Sequence, residues 1–311
     1  MPCRSRRALT AWIDQREVPT WLLLVVIYGG WMGLTYFYAA LPWWVLLPAG
    51  GWITAWHMSL QHEIVHCHPT RSRAVNTMLG FPPFSLWLPF ERYRATHLAH
   101  HNDRILTDPI EDPESAYVTP AQWDRLSAFA RLVLTINSTL AGRMTIGPVL
   151  VVGEFLRREA RLLVAAEPKA RQIWLLHGLG VAAVLSWTVF VCGISIPVYI
   201  AFFIYPGLSL TLLRSFAEHR AAEQPAHRTA IVEHAPVLGL LFLYNNLHVA
   251  HHQRPGLPWY SLPSHYKANR AALVVQNNGL VYDGYRDVAR RYFFARYDGP
   301  VHSTSESGQK N

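Results

Sequence analysis

The chain has 311 residues, of which 51% are hydrophobic and only 15% charged, with twelve Trp and a formal net charge of +8. So apolar and aromatic a composition excludes an ordinary soluble or disordered chain and points to a membrane protein. The positive balance carries no basic, aromatic-interleaved nucleic-acid motif, so it reads as a topology and lipid-surface signal, and no nucleic-acid partner is expected.

In chain order, the basic start with Arg4, Arg6 and Arg7 precedes a long apolar block without a small-residue cleavage site, which predicts a retained anchor. Between Glu17 and Glu63 there is no Asp, Glu, Lys or Arg for 45 residues, and between Arg171 and Arg214 none for 42. About 20 apolar residues cross a bilayer, so each block is long enough for a hairpin of two transmembrane helices. The turns are Ala39 to Trp44 and Cys192 to Pro197, giving expected spans 20–40, 43–61, 172–192 and 196–214.

All 28 Lys and Arg residues lie outside the two blocks, which places both termini and the central loop on one side, the cytoplasmic side by the positive-inside rule. Phe81–Phe90 and Ala235–Tyr244 are too short to cross and predict interfacial or re-entrant elements. Residues 127–156 mix apolar runs with Arg131, Arg143 and Glu154 and predict an amphipathic helix on the membrane. The expected fold class is therefore all-α: four transmembrane helices as two hairpins, interfacial helices and a cytoplasmic cap. It forms one domain over 1–300, with a disordered polar tail over 301–311. Cys3, Cys67 and Cys192 form no CxxC pair, so neither a disulfide framework nor a thiolate zinc site is expected.

The histidines carry the chemistry. Nine of sixteen fall into four clusters: His62/His66, His97/His100/His101, His219 and His248/His251/His252. Helical i,i+3 and i,i+4 spacing brings rings together on one side of a helix, and neutral imidazole is a good donor for borderline first-row metals. The topology sends all nine to one membrane face. Nine rings are too many for one tetrahedral zinc and suit two ions. His57, His68, His177, His227, His234, His265 and His302 are read as structural.

Two other readings were weighed on the same residues. His62-Glu63-Ile64-Val65-His66 matches the H-E-x-x-H pattern of zinc proteases, with Glu63 as general base, but leaves the later clusters without a role. A metal transporter would place ionisable residues along a path through the spans, whereas here the candidate ligands gather at one face.

The order and spacing of the boxes resemble the membrane fatty acid desaturase superfamily, which also holds alkane hydroxylases and carotenoid ketolases and hydroxylases. The boxes are His62-x-x-x-His66, His97-Leu98-Ala99-His100-His101 and His248-Val249-Ala250-His251-His252, with His219 as the extra ligand after the last span. The likeness extends to Asp112-Pro113-Glu114-Ser115 and Pro255 to Pro263, and covers roughly residues 20–275.

The resemblance implies a non-haem di-iron centre of two Fe ions held by the nine histidines. With O2 as co-substrate, such a centre abstracts hydrogen from an unactivated C–H bond that no general base could deprotonate. Two abstractions from neighbouring carbons give a double bond, and oxygen transfer after the first gives an alcohol. Desaturation is the first expectation because the Trp259-Tyr260 tail looks most like that branch; hydroxylation or ketolation of an alkyl or carotenoid substrate is the alternative. The substrate class is an acyl chain, or a smaller aliphatic molecule such as the saturated precursor of a rhizobitoxine-like enol-ether amino acid. No electron-carrying domain is recognised in the chain, so a ferredoxin with its reductase is the expected donor.

Metal-bound His usually donates its other ring N–H to a polar group, for which Glu63, Asp103, Asp112, Glu218, Asn245 and Asn246 are the candidates. Arg220 and Arg254 are read as attracting an anionic head group or an acidic donor.

Overall fold

A computed structural model describes residues 16–302 and is mostly helical. The basic segment with Arg4, Arg6 and Arg7, and residues 303–311 of the expected tail, lie outside the described residues.

The first apolar block folds as α1 (Val18–Tyr36) and α2 (Trp43–Val65), joined through a 3-10 turn at Tyr38–Ala40. After it come α3 (Arg73–Gly80), α4 (Phe90–His100), α5 (Pro120–Asp124), α6 (Ala128–Asn137), α7 (Leu140–Thr145) and α8 (Gly147–Val164). The second block forms α9 (Pro168–Val191) and α10 (Ile196–Phe216), each containing a short π-helical stretch. Gly193, with φ of 74°, supplies the left-handed turn between them.

Three helices, α1, α9 and α10, are long and apolar enough to cross a membrane. The fourth expected span, α2, is continuous over 23 residues, but Gln61, His62 and Glu63 at its end and its Gly, Trp and His content make it less apolar. It is instead the most enclosed of the four. A Cβ on Gly50 would stand 2.4 Å from the Phe202 carbonyl oxygen, and one on Gly207 would stand 2.6 Å from Thr54 Cβ. Glycine at these positions lets α2 and α10 meet backbone to backbone, as helices packed in lipid do.

The remaining elements form the cap: α11 (Pro236–Leu241), α12 (His248–Gln253), α13 (Leu262–Gln276) and α14 (Gly284–Tyr292). Two two-residue strands, β1 (Ile231–Val232) and β2 (Val281–Tyr282), pair in parallel, a small departure from the all-α expectation. Ile231, Leu241, Phe242 and Tyr282 are almost completely buried and pack this layer.

Two local expectations are corrected, and Phe81–Phe90 packs among the helices. Phe84 stacks on Trp31 with ring centroids 4.1 Å apart, and its carbonyl accepts from the Tyr199 hydroxyl at 2.7 Å. Residues 127–156 do not make one helix. Ser127 and Thr139 each cap a new helix by accepting backbone N–H groups, and Pro148 sits at the start of the third. The tail is ordered at its first two residues: Val301 bridges to Val118, and buried His302 places Nε2 2.9 Å from the Thr107 hydroxyl.

Candidate metal centre

The structure brings all nine histidines of the four clusters together, in two groups. His62, His66, His97, His101 and His251 form one; His100, His219, His248 and His252 form the other, and within each group the candidate donor atoms lie within 4.8 Å of one another. The ends of α2 and α10 deliver His62, His66 and His219, while α4 and α12 deliver the two His-x-x-His-His boxes.

The division follows from helix geometry. Residues at i and i+4 differ by about 40° around a helix, while i+3 lies about 100° from i+4. His97 and His101 therefore face the first group, and His100 faces the second. In α12 the assignment is reversed: His248 and His252 face the second group and His251 the first. Each box thus gives its i+3 histidine to the group that its other two do not serve.

The nitrogen positions fit ligation. Nε2 of His97 is 3.1 Å from that of His66 and 3.0 Å from that of His101, and the His251 and His101 Nε2 atoms are 3.1 Å apart. In the second group, His219 Nε2 lies 3.0 Å from His100 Nε2 and 2.9 Å from His248 Nε2. Neighbouring donors at right angles on one ion about 2.1 Å from each would be about 3 Å apart. His252 Nε2 is fully buried without a hydrogen-bond partner, as a nitrogen reserved for a metal would be.

The opposite ring nitrogens are held in place. His97 Nδ1 meets Glu114 at 3.1 Å, His100 Nδ1 meets Asp112 at 2.9 Å, and His252 Nδ1 meets Asp103 at 3.2 Å. His248 Nδ1 lies 3.1 Å from Asn245 Oδ1 and 3.4 Å from Glu218, and His219 Nδ1 lies 3.3 Å from the Arg228 carbonyl oxygen. These contacts fix the tautomer that leaves Nε2 free to donate its lone pair.

Four of the six proposed supporting residues thus touch a ring of the groups through Nδ1: Asp103, Asp112, Glu218 and Asn245. Glu63 and Asn246 are placed elsewhere. Glu63 accepts the Trp259 N–H at 2.9 Å and faces His68 at 3.8 Å, while Asn246 donates to the Val232 carbonyl at 2.7 Å. Glu114 was missed, although the Asp112-Pro113-Glu114-Ser115 segment that contains it stood out in the sequence. The seven histidines read as structural join neither group. His68 meets Glu17, His177 meets the Leu86 carbonyl, and buried His57 packs between Tyr28 and Phe84.

Burial and crowding set the charge of the rings. Burial, reinforced by neighbouring imidazoles, pushes His101 down to about 2, and His219, His248 and His251 fall well below the ordinary range for the same reasons. Burial takes His252 to about 4, with Asp103 opposing. Neutral rings keep their lone pairs available. His100 is the exception, because Glu114 and Asp112 outweigh its burial and raise it to about 9.

Burial would lift the Glu114 carboxyl, but His97 and His100 hold it well below the usual range. Burial raises Glu218 to about 7, only partly offset by Arg214 and His100. A cavity of about 100 Å³ adjoins the second group, with His100, His219, Glu114, Glu218, Tyr117 and Arg143 in its wall.

Two closely spaced groups of nitrogen donors, without thiolates, suit a pair of redox-active first-row ions better than one structural zinc. A family model described as fatty acid desaturase matches residues 38–285, which hold all four histidine clusters and three of the four long helices, α1 lying before them. No curated protein matches. With most of its length accounted for by that one match, the chain belongs to the fatty acid desaturase family.

Proposed function

We propose that the protein is a membrane-bound, O2-dependent non-haem di-iron desaturase that places a double bond in an acyl chain or a related small aliphatic substrate. The observation that carries this reading is the pair of adjoining all-histidine groups, five and four rings, with their Nε2 atoms turned inward. Two iron ions bound there would supply the oxidising power that removing hydrogen from an unactivated C–H bond requires.

The chain's own residues set the conditions. Asp103, Asp112, Glu114 and Asn245 hold imidazole rings by their Nδ1 atoms, so that the donors stay oriented when the metals change charge. Glu218 accepts from Asn245, meets His248 of the second group and is itself paired with Arg214 at 2.9 Å. The low proton affinity of most of the rings keeps protons from competing with metal.

All four long helices are read as spans, α2 crossing within the bundle, with the histidine face and both termini in the cytoplasm. The support is the distribution of Lys and Arg, the contact of Glu17, before α1, with His68, after α2, and the cavity shared by the α2 end and Lys169 at the α9 start. A separate ferredoxin with its reductase would deliver electrons to that face.

The test is metal analysis of protein purified after growth with ample iron, beside His100→Ala and His251→Ala, followed by lipid analysis of cells expressing each form. Iron bound by the wild type and lost from both variants, with new double bonds only in wild-type cells, is the expected result. New hydroxyl or keto groups would transfer the assignment to the hydroxylase or ketolase branch. One zinc retained in both variants would refute the di-iron reading.

A further inference from the structure

A second cavity, of about 270 Å³, has none of the nine clustered histidines in its lining. Ile64 and Val65 at the end of α2 form part of its lining, and Lys169 at the start of α9 closes another side. Both belong to helix ends on the histidine-bearing side.

Charge is the cavity's first distinguishing feature. Arg71, Arg73, Arg94 and Lys169 line it against one carboxylate, Glu91. Glu91 is shared by Arg94 at 2.7 Å and Arg73 at 3.2 Å, and among the described residues Arg71 and Lys169 form no ion pair. Four cations around one recess repel one another, and an anion seated between them relieves that repulsion.

The second feature is apolar surface beside the cations. Ile64, Val65, Ala95 and Leu98 form the apolar part of its wall, and Leu98 is 49% exposed. A small soluble anion has no use for such a surface. A cationic recess with apolar residues beside it, at the height of the membrane interface, has the two-part chemistry of a phospholipid.

We propose that this cleft seats the phosphate of an anionic membrane phospholipid, its acyl chains lying against Ala95 and Leu98. The lipid would bridge α2, α3, α4 and α9 on the side away from the metal ligands. The inference stands independently of the proposed reaction.

The experiment uses the full chain in phosphatidylcholine nanodiscs, titrated with phosphatidylglycerol, with retained lipid read by native mass spectrometry. Wild type is compared with Arg71→Gln/Lys169→Gln and with the charge-keeping Arg71→Lys/Lys169→Arg, and circular dichroism checks that each is folded. Phosphatidylglycerol is expected to be retained over phosphatidylcholine. At about fivefold per cation, the neutral pair should weaken its binding about thirtyfold, while the charge-keeping pair retains it. Equal retention of the two lipids, an unchanged preference in the folded neutral variant, or full displacement by inorganic phosphate would overturn the proposal.

Discussion

Replacing Glu114 by Gln removes one negative charge and little else, because the carboxylate's one side-chain hydrogen bond is to His97 Nδ1 at 3.1 Å, with His100 Nε2 at 4.0 Å. A hydrogen bond to a charged partner contributes about 1.5–3 kcal/mol and a neutral one about 1 kcal/mol, so the variant should lose about 1–2 kcal/mol. That is about 5- to 30-fold in metal affinity, in line with what outer ligand partners typically contribute. The hydrogen bond is to a ring of the five-histidine group, so metal bound there should weaken more than metal bound by the four-histidine group. Purified protein would be challenged with graded chelator and the metal remaining per chain measured. Glu154→Gln is the control, since Glu154 pairs with Arg157 and Arg158 on the outside of α8. Two chelation steps in the variant against closely spaced steps in wild type are expected. If both metals are lost in parallel, or the curve does not move, Glu114 does not act through His97 and the reasoning fails.

Gly50→Val should sharply lower the yield of folded protein in detergent, because the new side chain would collide with the Phe202 carbonyl and Phe203; normal yield and melting temperature would count against the close α2–α10 crossing. Glu63→Gln should leave the metal-to-chain ratio unchanged, since the amide oxygen can still accept the Trp259 N–H, and metal loss on elemental analysis would contradict this. Stability of chelated protein should depend on pH in two directions. His252, held at about 4 against an ordinary 6.5, stays neutral in the fold while the unfolded chain takes up a proton, so stability falls as pH drops from about 6.5 towards 4. His100, raised to about 9, adds stability that is complete below 6.5 and is lost as pH rises through 9. Thermal melts should therefore peak between these limits, and a melting temperature that keeps rising towards pH 5 would exclude the assignment.

Much of the centre was legible in the sequence because helical spacing and the charge-free blocks carry distance information. From these, the hairpins and the convergence of nine histidines at one face could be read. What was not legible depended on chain neighbours pointing apart. Glu63 adjoins His62 in sequence but lies about 100° around the helix from it, and it finds Trp259, 196 residues away, instead. Asn246, beside Asn245, turns to the backbone of β1 for the same kind of reason. Conversely, Glu114 reaches His97 across a loop, where no periodicity announces a contact. The breaks within 127–156 are set by the caps Ser127 and Thr139 and by Pro148, signals outweighed by the apolar run. His302 reads as tail in the sequence because its partner, Thr107, is 195 residues away and meets it only in the fold.

The exchange of i+3 histidines between the boxes makes the two halves of the centre mechanically inseparable. A rotation of α4 or α12 that tightens one group displaces donors from the other, since each helix serves both. Filling one group should therefore shift the donors of the other, so that removing metal from the five-histidine group should change the spectrum of metal left in the four-histidine group.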